Sequence, residues 1–364
     1  MSSRSVHAAI DIGASSGRVV AGVVEDGRVE LHTVHRFPNG AVQWGGRLRW
    51  DLSGLFAEVL TGLALLGQRF GDVTSVGVDT WAVDYGLLDA DGRLLAEPTA
   101  YRDDRTTPAV LAAVHARVTP AELYAVNGLQ SLPFTTVYQL AAEQQDSLWA
   151  RVRHAVLLPD LIGYWLTGEL RTEVTNASTT GLLDARTGEL SEPLARRLDL
   201  PPDLFPPLVQ PGAQLGALLP EVAATTGLSR EVTVVAVGSH DTASAVVGVP
   251  ATDQRWAYVS SGTWSLVGLE LDGPVLTDES RAANFTNEGG VDGRTRFLRN
   301  VGGLWLLSES LRDWTERGEP AELEPLLDEA ARLPAGGPLI DVDDQAFIAP
   351  GDMPERIRDA CRAS

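Results

Sequence analysis

His7-Ala-Ala-Ile-Asp-Ile-Gly-Ala-Ser-Ser-Gly-Arg18 carries a short apolar strand into a turn of glycines and serines, and Arg18 opens a second apolar strand that runs to Glu25. The expected strands are His7–Ile12 and Arg18–Glu25, with a third, Arg28–Phe37, across the turn Glu25-Asp-Gly27. The chain therefore opens as a β-meander. Gly13 and Gly17 allow tight backbone conformations that present amides, Ser15 and Ser16 add hydroxyl donors, and Arg18 adds a fixed positive charge. Those are the parts of a phosphate cradle. Asp11 would repel a phosphate, and a Mg²⁺ between the two resolves the conflict, because that ion prefers carboxylate and phosphate oxygens. A Gly-rich hairpin turn with a solvated aspartate explains the same residues equally well.

Outward from this turn, Asp51 caps a predicted helix with apolar residues at Leu52, Leu55, Phe56, Val59, Leu60, Leu63 and Leu66, a spacing of three and four. A strand at Val73–Val78 ends in Asp79-Thr-Trp-Ala-Val-Asp-Tyr85, and another is expected at Tyr85–Leu88. Residues 106–200 read as mostly helical and lead to the connector Leu200-Pro-Pro-Asp-Leu-Phe-Pro-Pro207. The strand Val232–Val237 then enters Gly238-Ser-His-Asp-Thr-Ala-Ser-Ala-Val246, where a helix starts. Trp256–Ser260 and Trp264–Leu269 are two further strands joined by Ser260-Ser-Gly-Thr263, an echo of the opening hairpin. The echo points to an α/β chain of two related domains, each offering a hairpin to one cleft. The boundary is expected between residues 244 and 245, giving domains 1–244 and 245–364. The second would hold about 120 residues against about 240 in the first, and the chain stops at Pro354-Glu-Arg-Ile-Arg-Asp-Ala-Cys-Arg362, the first turns of a predicted helix. The expectation is a second domain cut short.

Composition removes whole classes of chemistry. All 29 basic residues of the 364 are arginine, so a Walker A loop, a protein-kinase site and any catalytic amine are excluded. Six scattered histidines and the single Cys361 form no metal-ligand motif and no internal disulfide. No GxGxxG follows a strand, so a dinucleotide enzyme has little support. A net charge of −20 without a basic patch speaks against nucleic acid as a partner. No apolar run reaches the roughly 18 residues of a membrane span, and the N-terminus has no signal-like apolar core. The cytosol is the expected compartment, while monomer and homodimer both stay open.

Phosphoryl transfer to an alcohol needs a carboxylate that takes the hydroxyl proton. Asp241 stands where a strand's C-terminal end meets a helix, the place of the ligand crevice in open α/β sheets. Aspartates there are also ordinary N-caps. Asp79 and Asp84 are rival bases in the Trp-bearing loop. His240 could donate to a sugar hydroxyl or be a packed bystander. Trp81, Trp264 and Trp305 could offer apolar faces to a sugar, although tryptophans more often serve a core. Gly262 and Thr263 could grip a second phosphate, and Asn284-Phe-Thr-Asn-Glu-Gly-Gly290 and Arg299-Asn300 read as polar loop ends.

Ile10 to Arg18, Val76 to Tyr85, Gly238 to Val246, Ser260 to Ser265, Asn284 to Gly290, Gly303-Leu-Trp-Leu-Leu307 and Phe347-Ile-Ala-Pro-Gly-Asp-Met353 together resemble the FGGY carbohydrate kinases. The likeness runs in order from residue 7 to the end. It implies two ribonuclease-H-like domains of the actin-like ATPase fold (the sugar kinase, Hsp70 and actin superfamily) around a cleft, the second incomplete. It implies phosphorylation of L-rhamnulose at its 1-hydroxyl by MgATP, with Asp241 as base. It also implies Ala14, Ser15, Ser16, Gly17, Arg18 and Thr263 on the nucleotide phosphates, and Asp11 holding Mg²⁺ through water. Position 82, His240, Thr242 and Asn300 would meet the ketose, with Trp81 and Asp84 as further candidates of the same loop. Three departures stand out: Ala82 in place of glycine, Ser308 in place of a longer amide, and no Gly-rich adenine-contacting segment. The last implies that this chain alone binds ATP weakly. A kinase for another ketose such as L-fuculose, and a catalytically silent ketose-binding fragment, are the alternatives.

Overall fold

The computed structural model describes residues 4–253 and 255–364. By packing, the chain divides into two compact units. One runs to Trp256 and takes in Leu269–Leu298; the other comprises Ala257–Gly268 and Arg299–Ser364.

The first unit begins with β1 (Ser5–Ile12), where Val6, Ala8, Ile10 and Ile12 point inward with the two-residue period of a strand. β2 (Ser16–Glu25) continues the alternation through Val19, Ala21 and Val23, and β3 (Arg28–Pro38) completes the meander. Helix α1 (Leu52–Phe70) starts at Asp51, whose Oδ1 accepts from Gly54 N at 2.9 Å. It buries Leu52, Leu55, Val59, Leu63 and Leu66, as their spacing requires. β4 (Ser75–Thr80) lies two residues beyond its expected place, because its parallel register with β1 runs from His7↔Ser75 to Ile12↔Thr80.

β5 (Tyr85–Leu88) is followed by a mostly helical region, as its pattern suggests, which opens with the helices Pro108–Arg117 and Pro120–Asn127. Besides α2 (Thr136–Glu143) it contains the strand β6 (His154–Leu157), antiparallel to β5, and then α3 (Leu158–Thr167) and the single turn α4 (Val174–Ala177). Tyr85, Val137, Leu140, Leu157, Leu182 and Leu204 share one buried cluster there. β7 (Gln214–Ala217), β8 (Thr233–Val235) and α5 (Asp241–Val247) complete the main fold. The large sheet has the order β7-β8-β4-β1-β2-β3, with β8, β4 and β1 parallel and the outer strands antiparallel.

Beyond α5 come two hairpins, β9 (Tyr258–Ser261) with β10 (Trp264–Leu271), and β11 (Thr286–Gly289) with β12 (Thr295–Gly302). The division between the units falls within β10 and β12. Residues 269–298 are tied into the first unit by Tyr124 Oη to Ser280 Oγ (2.7 Å), Asn287 Nδ2 to Gly128 O (3.0 Å) and Gly289 N to Ser178 Oγ (2.7 Å).

The second unit packs α6 (Trp305–Glu316) and α7 (Met353–Ala363) around Leu306, Phe347 and Met353. Trp305 is part of this packing, with its indole N–H donated to Phe347 O at 2.9 Å. The segment entering α7 is held by carboxylates of α6: Gly351 N donates to Glu309 at 3.2 Å and Met353 N to Asp313 at 2.8 Å.

Candidate active site

The parallel register of β1 and β4 sets Asp11 beside Asp79 at their C-terminal ends. The strand edge continues into the loop before α5, where Thr80 bridges His240 and Thr80 N donates to Ser239 O at 2.9 Å. Asp241 follows as the first residue of α5; the N-cap is His240. Three carboxylates from three separated segments thus gather at one end of the sheet. Their proximity is felt by Asp79, whose carboxyl is held well above its ordinary range. Burial is the main cause, repulsion by Asp11 and then Asp241 adds to it, and Arg18 opposes it.

In the β1–β2 turn Gly13 N donates to Ser16 O at 2.9 Å, and Asn39 braces the turn through Nδ2 to Gly13 O (2.8 Å) and its own N to Ser15 O (3.1 Å). Ala14 is partly buried, while Ser15 and Ser16 are exposed. Neither glycine of the turn has the left-handed φ that tight conformations would demand. Gly17 is required for another reason: a Cβ there would lie 2.2 Å from the Phe37 ring. Arg18 faces Asp11 directly across the hairpin, with Nη2 2.5 Å from Oδ2.

Asp241 Oδ1 accepts from Thr242 N (2.6 Å) and Thr242 Oγ1 (3.1 Å) and lies 3.4 Å from His240 Nε2. Its side chain is 37 % exposed, whereas His240 and Thr242 are buried. Asp84 has the opposite environment. It is 1 % exposed and accepts from Trp50 Nε1 (2.6 Å), Trp81 Nε1 (2.9 Å), Tyr101 N (3.2 Å) and Gln139 Nε2 (3.3 Å). Burial still wins over these donors and Arg105, and pushes its carboxyl up to about 6. Trp81 stacks at a tilt on Trp50, ring centroids 4.3 Å apart, with its indole directed at Asp84. Ala82 is therefore flanked by a packed Trp81 and by Val83, a β-branched residue at φ 68° whose carbonyl accepts from Thr136 Oγ1 at 2.7 Å. Such a conformation is costly for valine and persists only because its surroundings enforce it.

Gly262, Thr263 and Asn300 belong to the second unit. The β9–β10 turn is held there by Leu304 N to Gly262 O (2.9 Å) and Trp305 N to Thr263 O (3.1 Å). Gly303 permits this approach, since a Cβ on it would stand 2.7 Å from Ser265 N. Asn300 lies on β12.

Several supporting residues escape sequence reasoning. Buried Glu173 accepts from Thr175 N (2.9 Å), Asn176 N (3.2 Å), Ser239 N (3.0 Å) and Ser239 Oγ (2.7 Å), which ties α4 to the loop carrying His240 and Asp241. Asn176 Nδ2 bridges to Ser239 O at 3.3 Å. Below them Asp160 accepts from Glu173 N at 3.1 Å; burial, then repulsion by Glu173, raises its carboxyl well above the ordinary range. The only available signal was the density of small polar residues around one carboxylate in Thr172-Glu-Val-Thr-Asn-Ala-Ser-Thr-Thr180, almost all buried. Among the described residues no three His, Cys, Asp or Glu side chains converge closely enough to hold a metal ion directly.

The chain has counterparts among known proteins. Residues 6–248 match the FGGY family of carbohydrate kinases, N-terminal domain, and residues 257–362 match the C-terminal domain of the same family. The chain belongs to the FGGY family of carbohydrate kinases, and its fold is the actin-like ATPase fold of sugar kinases. Its curated relatives include the rhamnulokinases of Bacteroides thetaiotaomicron, 41% identical over 98% of this chain and 73% of theirs, and of Bacillus subtilis, 38% identical over 98% and 72%. The chain thus spans about seven-tenths of these relatives' length. Among solved structures it resembles the ligand-bound xylulose kinase of Lactobacillus acidophilus, with a TM-score of 0.78 at 19% identity over 91% of this chain and 66% of that one. The xylulose kinase of Rhodospirillum rubrum gives 0.72 at 22% identity over 90% and 67%. No helix among the described residues is long and apolar enough to cross a membrane.

Proposed function

We propose that this chain carries the sugar site and catalytic base of a kinase that phosphorylates L-rhamnulose at its 1-hydroxyl, with MgATP as donor. The observation that supports it most is the alignment of β1, β4 and the Ser239–Asp241 loop, which sets one accessible carboxylate, Asp241, beside the phosphate-type turn. Asp79 and Asp84 are weaker candidates, because both carboxyls are pushed toward the protonated form and Asp84 is already occupied by four donors.

In this reading Thr242 and His240 engage Oδ1 of Asp241, and Oδ2 faces the ketose. Asp241 takes the proton of the 1-hydroxyl as that oxygen forms its bond to the γ-phosphorus, and the bond from phosphorus to the ADP oxygen breaks. Ala14 to Arg18 and the Gly262-Thr263 turn bind phosphates, and Asn300 meets the sugar. Bound Mg²⁺ would neutralise charge between the nucleotide and the carboxylates, a role that fits Asp11 acting through water in a cluster whose members repel one another. Ala82 borders the sugar and is the position where one methyl adjusts preference.

The test is a panel of L-rhamnulose, L-fuculose, L-ribulose and D-xylulose with MgATP. L-Rhamnulose is expected to give the highest kcat/KM. A higher value for L-fuculose or D-xylulose would overturn the substrate assignment while leaving the base in place.

A further inference from the structure

We infer that Arg296 is a positioning residue that keeps the proton of His240 on Nε2, the ring nitrogen facing Asp241, against the opposing preference of Glu288. The inference deepens the reading of Asp241 as the base and rests on it for its functional meaning.

Glu288 and Arg296 are register partners in the β11–β12 hairpin. Arg296 is fully buried, and its guanidinium reaches three groups: Nε donates to Gly289 O at 3.0 Å, while Nη2 lies 2.9 Å from His240 Nδ1 and 3.2 Å from Glu288 Oε2. A guanidinium has donors only and does not lose its proton in proteins. The 2.9 Å contact therefore demands a lone pair on Nδ1, and the neutral imidazole must carry its proton on Nε2.

Glu288 Oε2 is 3.3 Å from the same Nδ1 and, acting alone, would select the opposite tautomer. Arg296 contacts both groups, donates to the ring at the shorter distance and balances the carboxylate's charge. With Nε2 protonated, His240 presents a donor to Asp241 Oδ1 at 3.4 Å. That donor complements the carboxylate acceptor. The other tautomer would set a lone pair against the carboxylate. A buried ion pair is weak evidence for stability in itself; this one has a defined task at the ring.

Nitrogen-15 labelling of the histidines and long-range proton–nitrogen correlation at pH 7.5 reads the tautomer directly, with His240 assigned by its loss in His240→Gln. The expected wild-type pattern is a pyrrole-type Nε2 and a pyridine-type Nδ1. Glu288→Gln should keep it, and Arg296→Met should move the proton to Nδ1. Protonated Nδ1 in the wild type, or an unchanged pattern in Arg296→Met, would overturn the inference. Should Arg296→Met fail to fold, the wild type and Glu288→Gln decide. The spectrum needs no turnover, so its failure is separate from failure of the kinase reading.

Discussion

Asp84 and Asp241 both come after strands of the large sheet, and their surroundings differ. Asp84 is shut away among two indoles, a backbone amide and Gln139. Its carboxyl moves from an ordinary 3.8 to about 6 because removal from water outweighs its donors. A raised carboxyl is stabilising in its protonated form. The contribution is therefore complete below about pH 4 and is lost as pH rises through 6. A carboxyl displaced that far is worth about 3 kcal/mol of stability across the window. Urea unfolding followed by tryptophan emission should show the wild type losing about that much between pH 4 and pH 7 relative to Asp84→Asn; parallel profiles would contradict it. Asp241, by contrast, keeps one oxygen free of Thr242 and His240 and is open to solvent. That difference, invisible in two aspartates read as letters, favours Asp241 over Asp84 for the proposed role of base.

At the scale of elements, the opening hairpin was legible because its alternation of apolar residues is uninterrupted and its turn residues are distinctive. The reason for Gly17 was not. It is the Phe37 ring from β3, not backbone conformation, that excludes a side chain. Gly17→Ala should destabilise the unit by about 1–3 kcal/mol through overpacking, and Phe37→Leu in the same chain should restore part of it. Thermal unfolding of the single and double variants checks this; an unchanged single variant would show that the ring yields freely. Strand β6 was hidden because four residues beside a helical pattern carry no period of their own. The clamps on the Asp241 loop were hidden for a different reason. Glu173 and Ser239 are 66 positions apart, and His240 and Arg296 are 56 apart, so only the folded sheet brings them together.

For the whole molecule, family and fold were legible from several short motifs in fixed order, and the matches to both FGGY domains agree with that reading. The role of each side chain was less legible, since it depends on registers such as Asp11 against Asp79 that the sequence does not display. Everything proposed for the chemistry turns on one carboxylate, Asp241, taking the proton from the ketose. The direct test is ketose-dependent ADP release at saturating MgATP and L-rhamnulose, wild type beside Asp241→Asn, with ketose binding measured separately by calorimetry. Asp241→Asn should lower kcat by about 10²–10⁴-fold while ketose affinity stays within about threefold. Equal kcat in the two proteins would contradict this and move the base elsewhere in the carboxylate cluster.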